Sequence, residues 1–152
     1  MSLLRKFQDL NNFTYNENYY KLIFGKAKIG YVHRKIAKYI LLNVKGMYLL
    51  DQKIYFQNTS ETEIKKIILK ITETLSKKKK LFIPADELFS CRNTIDGKEL
   101  FKLDRKLVEF LGIRGYGVHL IIYIKRKNSY KLWVPKRNKK KLVSPSKFDN
   151  SV

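Results

Sequence analysis

Few side chains in these 152 residues could do chemistry. They are one cysteine, Cys91, two histidines, His33 and His119, and a basic pair, Lys136-Arg137, that directly follows an alternating apolar stretch. A lone cysteine excludes an internal disulfide and a cysteine-based zinc site within one chain, and it suits a reducing compartment. Two histidines argue against a conventional zinc site. No Gly-x-Ser-x-Gly elbow, Walker loop or Cys/His nucleophile arrangement occurs, so hydrolysis by a nucleophilic triad has no support. Lys136 and Arg137 at a strand end could meet a diphosphate, because a guanidinium makes bidentate contacts with phosphate oxygens; a merely solvated pair is the equal alternative. His119 lies in an apolar, strand-like run and reads as a structural histidine, while Tyr116 and Trp133 read as packing residues.

The elements that would position these residues follow from periodicity. Leu3, Leu4, Phe7 and Leu10 recur at helical spacing after Ser2, which predicts a short amphipathic helix over 2–12. Tyr19 to Phe24 and Ala27 to Val32, broken at Gly25-Lys26, predict a hairpin. A helix follows on Ile36, Ala37, Ile40 and Leu41, and a second hairpin pairs Met47 to Leu50 with Lys53 to Phe56 around Asp51-Gln52. Ile64, Ile67, Ile68, Ile71 and Leu75 share one helix face behind the capping segment Thr59-Ser60, and that helix runs into the cations Lys77 to Lys80. From Leu81 to Leu103 the pattern is irregular. Asp104 can cap a short helix with Leu107, Val108 and Leu111 on its apolar face, ending at Gly112. Gly117 to Ile124 and Tyr130 to Val134 then predict a long hairpin around Lys127-Asn128-Ser129, followed by a basic, polar tail. The fold class is α+β.

Composition bounds the alternatives. A hydrophobic fraction of 44% supports one compact domain of ordinary size with its own core. No apolar run approaches the ~20 residues of a membrane span, and MSLLRKFQDLNN lacks the apolar centre of a signal peptide, so the expectation is a cytoplasmic chain with no membrane partner. The formal net charge of +20, from 33 basic and 13 acidic residues, invites nonspecific polyanion binding and an alternative reading as a basic RNA-binding module. Against that stands composition alone: with seven arginines among the 33 cations, the surplus is lysine, and Lys, Ile, Asn and Tyr all use A/T-rich codons.

The segment RGYGVHLIIYIKRKNSYKLWVPKRNKKKLVSPSKFDNSV carries a more specific signal. It resembles the opening of the Nudix domain in hydrolases related to the one fused to thiamine pyrophosphokinase. The matching positions are Arg114, Tyr116-Gly117-Val118-His119-Leu120, Leu132-Trp133, Lys136-Arg137, Pro145, and Asp149-Asn150 followed by Val152. Phe24 to Val32 is similar to a Gly-x-x-Val-Gly-x-Val hairpin in that family's N-terminal accessory domain, and Leu100 to Gly112 is similar to the stretch just before its Nudix domain.

The resemblance implies an accessory domain over 1–112, the first hairpin and tail of a Nudix domain over 113–152, and substrate contacts from Arg114, Lys136, Arg137 and Asn150. It also implies Mg²⁺-assisted attack of water on a diphosphate linkage, with thiamine diphosphate analogues as one substrate class. Departures matter as much. Ser146 replaces the family's glycine after Pro145, at a backbone position that wants positive φ. The Nudix box, whose glutamates hold the metal, does not occur in these residues, and the expectation is a truncated, inactive chain with no catalytic or metal-binding residue of its own. Arg105, Leu107, Glu109, Gly112 and Ile113 imitate the box spacing, but Lys106 and Phe110 fill the other two glutamate positions, and one carboxylate beside lysines would not hold a hard divalent cation. A separately encoded Nudix-box fragment is the expected partner, bringing Mg²⁺ and a diphosphate small molecule with it. Without that cover, the hairpin 117–134 would present an apolar face and an unpaired strand edge.

Overall fold

A computed structural model describes residues 13–77, 82–140 and 145–149. The helix expected over 2–12 and most of the lysine run lie outside the described residues. Two compact units emerge, one up to Gly115 and one from Tyr116 onward. The class is mixed α+β: three small sheets and three helices among the described residues.

In the first unit, β1 (Tyr19–Phe24) and β2 (Ala27–His33) form the expected hairpin, with Gly25 in the left-handed region at φ +56°. The turn between β3 (Met47–Leu50) and β4 (Lys53–Phe56) places both Asp51 and Gln52 at positive φ, 46° and 61°, as a tight two-residue hairpin loop requires. Helix α1 (Arg34–Asn43) links the hairpins, and its first turn is capped by His33, whose Nδ1 accepts from the Lys35 amide at 3.2 Å. The strand order is β2-β1-β4-β3, with β1 and β4 parallel through Leu22 opposite Ile54.

Helix α2 (Glu61–Ser76) buries Ile64, Ile67, Ile68, Ile71, Thr74 and Leu75 on one stripe. Its N-cap Ser60 makes no side-chain capping bond; instead Asn58 Oδ1 accepts from the Ser60 amide at 2.8 Å. On its exposed face, the hydrogen bond from Lys65 holds the Glu61 carboxyl below its ordinary range.

The stretch expected to be irregular contains a third hairpin, β5 (Leu88–Arg92) against β6 (Glu99–Asp104). Asp104 then caps α3 (Arg105–Phe110), accepting from the Lys106 amide at 2.8 Å and also from the amides of Ala85 and Asp86. One carboxylate thus fixes both the helix start and the loop before β5. Tyr20, Leu22, Ile54, Phe56, Leu103, Leu107 and Leu111 join the α2 stripe in one core.

Cys91, on β5, is fully buried in that core, and burial pushes its thiol up from 9.0 to about 12. A folded-state pKa above the unfolded one means that folding favours the neutral thiol. That contribution is present in full below about pH 9 and lost as pH rises toward about 12. In urea titrations at about pH 8 and about pH 11, the wild-type chain should lose more stability on alkalinisation than Cys91→Ala. Equal losses in both chains would show that Cys91 ionises as freely in the fold as outside it.

In the second unit, β7 (Ile122–Arg126) pairs with β8 (Ser129–Trp133) across a two-residue turn at Lys127-Asn128. The pairing starts later than the sequence suggests. His119 lies before the strand and is exposed, and Trp133 is 69% exposed rather than packed.

Candidate functional site

Residues far apart in the tail are brought together in the second unit. The Arg137 amide donates to the Lys147 carbonyl at 2.8 Å, the Asp149 amide donates to the Pro135 carbonyl at 3.0 Å, and Lys136 bridges Phe148 in antiparallel fashion. This backbone clasp sets the basic pair beside Asp149, and the Arg137 guanidinium forms an ion pair with the Asp149 carboxylate. The pair is only about one-third exposed on each side, so water screens it less than a surface pair. Ser146, between the clasped segments, adopts φ +60°. The left-handed turn expected of glycine is therefore kept by serine, at a conformational cost of roughly 1 kcal/mol.

Of the residues expected to contact substrate, Lys136 and Arg137 are adjacent, Lys136 exposed and Arg137 half-buried. Arg137 Nε is shielded from solvent and has no acceptor among the described residues, which leaves a donor on a guanidinium already held by Asp149. Arg114 is exposed and belongs to the first unit. Asn150 lies outside the described residues. Asp149 stood in the sequence only as a motif position, and its pairing with Arg137 was missed; charge complementarity across the Pro145 turn was the signal available.

The box-like stretch has a structural explanation at each position, Ile113 being buried in the core. Arg105 pairs with Glu87 at 2.9 Å, Leu107 is fully buried, and Glu109 pairs with Lys106 at 2.7 Å. Gly112 accepts a close backbone approach from Tyr31. Among the described residues no group of three or more His, Cys, Asp or Glu side chains is placed to hold a metal ion. The box-like stretch offers Glu109 alone, already paired with Lys106, and does not fit the magnesium ion of a Nudix box.

No protein-family model matches the chain. Two curated proteins of Arabidopsis thaliana are similar to it. Nudix hydrolase 20, chloroplastic, is 33% identical over 67 residues, covering 44% of this chain and 18% of the relative. Nudix hydrolase 24, chloroplastic, is 22% identical over 129 residues, covering 82% of this chain and 35% of the relative. The similarity supports membership of the Nudix family. The matches span between about a fifth and a third of those relatives' length. No helix among the described residues is long and apolar enough to cross a membrane.

Proposed function

We propose that this chain is the N-terminal part of a Nudix-type pyrophosphohydrolase acting on diphosphate-linked substrates, thiamine diphosphate analogues among them. In this reading residues 1–112 are an accessory domain and residues 113–152 are the opening hairpin and tail of the catalytic domain. The observation that carries it is the similarity to a Nudix hydrolase along 82% of the chain. Lys136, Arg137, Arg114 and Asn150 are its substrate contacts, and Asp149 fixes the Arg137 guanidinium so that the basic pair meets a phosphate without a search through rotamers. Metal ligands come from a Nudix-box segment, whether a separate chain or a continuation of this one.

Magnesium-dependent hydrolysis of thiamine diphosphate and of nucleoside diphosphate derivatives tests the proposal. The 152-residue chain alone should give no turnover above blank, whereas the chain joined at Val152 to a segment that carries a Nudix box should turn over at least one substrate. In that joined protein Lys136→Ala should raise KM by roughly tenfold, the size expected for one charge-assisted phosphate contact. Turnover by the chain alone that survives repurification, or a joined protein that folds and stays inert on all substrates, would overturn the reading.

A further inference from the structure

The first unit contains a groove of about 630 Å³ whose walls are set by Phe13, Lys26, Lys28, Tyr31, Arg92 and Arg114. Its size falls in the range of ~300–1,000 Å³ that holds small molecules. Four cations line it, and among the described residues no acidic side chain does. Every ion pair among the described residues forms elsewhere, with acids placed along α2, at Glu87, at Glu109 and at Asp149. The comparable groove of about 730 Å³ beside Phe24 and Leu88 differs in kind, because Glu61 and Glu99 accompany its lysines.

The groove is also preorganised. Arg92 donates from Nη1 to the Gly97 carbonyl at 2.7 Å and from Nε to Ser90 Oγ at 3.2 Å, so its guanidinium is fixed to the β5–β6 turn. Lys28 Nζ donates to the Tyr31 hydroxyl at 2.7 Å. Phe13 is 52% exposed, yet its ring is held edge-on to Tyr19 at 5.2 Å and tilted against Tyr31 at 5.3 Å. The glycines Gly30 and Gly112 line the same groove with bare backbone. Cations with no acid partner among the described residues, around an exposed, fixed aromatic ring, are the complement of a phosphate group attached to a planar ring.

We propose that this groove binds a phosphorylated heterocycle, its phosphates neutralised by Lys26 and Arg92 and its ring laid against Phe13. The limited extent of the groove favours a small molecule over a nucleic-acid strand, which would need a continuous track of cations and stacking rings. Binding, not turnover, is its readout, so its failure is separable from failure of the hydrolase reading.

Calorimetric titration of the full chain with adenosine diphosphate, adenosine, inorganic pyrophosphate and a short oligouridylate tests it. Adenosine diphosphate should bind saturably, and the two half-ligands should each bind at least about tenfold more weakly, since each lacks one of the two recognised groups. Phe13→Ala and Lys26→Ala should each weaken adenosine diphosphate about tenfold, while Lys66→Ala on α2 should leave it unchanged. The circular dichroism of each variant should match the wild type. No saturation up to millimolar adenosine diphosphate, equal binding by wild type and both groove variants, or tighter binding of oligouridylate than of adenosine diphosphate would each overturn the proposal.

Discussion

Gly112→Ala is expected to destabilise the first unit by roughly 3 kcal/mol and to lower its Tm by roughly 10 °C, the largest effect of any glycine-to-alanine change in this chain. Two costs combine. Gly112 sits at φ +55°, in the left-handed region where a side chain costs ~1–2 kcal/mol. A Cβ there would also stand 2.0 Å from the Tyr31 carbonyl oxygen, which is backbone and cannot rotate away. The approach is close because the end of α3 docks directly on β2: the Tyr31 amide donates to the Gly112 carbonyl at 3.1 Å. Gly30, on the facing strand, answers in kind, since its Cβ would meet the Leu111 carbonyl oxygen at 2.5 Å. Gly30→Ala should therefore also destabilise, through overpacking without the left-handed penalty. Gly25→Ala separates the two costs. Gly25 has almost the same φ, +56°, but nothing within 4 Å of the added carbon, so it should lose only about 1 kcal/mol. Thermal and urea unfolding of the three variants would measure this. If Gly112→Ala cost no more than Gly25→Ala, the α3–β2 docking would not exist in the native fold.

That docking marks the boundary of what could be read from the sequence. Local devices were legible because each depends on residues within one or two turns. The β1–β2 and β3–β4 hairpins follow from alternation around Gly25-Lys26 and Asp51-Gln52, the α2 stripe from 3.6-residue periodicity, and the α3 cap from Asp104. Long-range pairings left no local trace. The parallel seam of β1 with β4 carries the same side-chain pattern as any half-buried strand. The β5–β6 hairpin was hidden because its strands, Leu88–Arg92 and Glu99–Asp104, mix exposed and polar residues with apolar ones, and Thr94 to Gly97 reads as loop.

The site shows the same division. The basic pair at 136–137 was visible, and so was the motif after Pro145, but only the backbone clasp brings Arg137 to Asp149. Serine at position 146 looked like a lost turn, and the fold instead holds it at φ +60° between the clasped segments. The groove at Phe13, Lys26 and Arg92 draws on segments nearly eighty residues apart, so no window of sequence displays it.

The isolated chain is expected to self-associate through the β7–β8 hairpin, and Ile122→Lys with Ile124→Lys should weaken that association by at least about tenfold. Cross-strand register puts Ile122 opposite Trp133 and Ile124 opposite Lys131, so these side chains share one face of the ribbon; Tyr123 lies opposite Leu132 and Tyr130 opposite Lys125 on the other. Ile122, Ile124 and Trp133 are 44%, 61% and 69% exposed, and every residue of both strands is exposed. A two-stranded ribbon is marginal in water until a third strand or a packed layer covers it. Here both faces carry exposed apolar side chains, the outer backbone edges lack a strand partner among the described residues, and a second copy of the same ribbon can satisfy face and edge at once. The Ile122/Ile124 face should dominate because it carries the indole, the largest apolar surface on the hairpin, beside two branched aliphatic chains. Tyr123→Lys with Leu132→Lys, on the opposite face, should therefore have the smaller effect. Light scattering across a concentration series reads the result directly: mass should rise with concentration for the wild type and stay near that of a monomer for the isoleucine double variant. A wild-type chain that remains a monodisperse monomer at high micromolar concentration, with its hairpin amides protected from hydrogen exchange, would show that the ribbon is covered from within the chain and would sink the prediction.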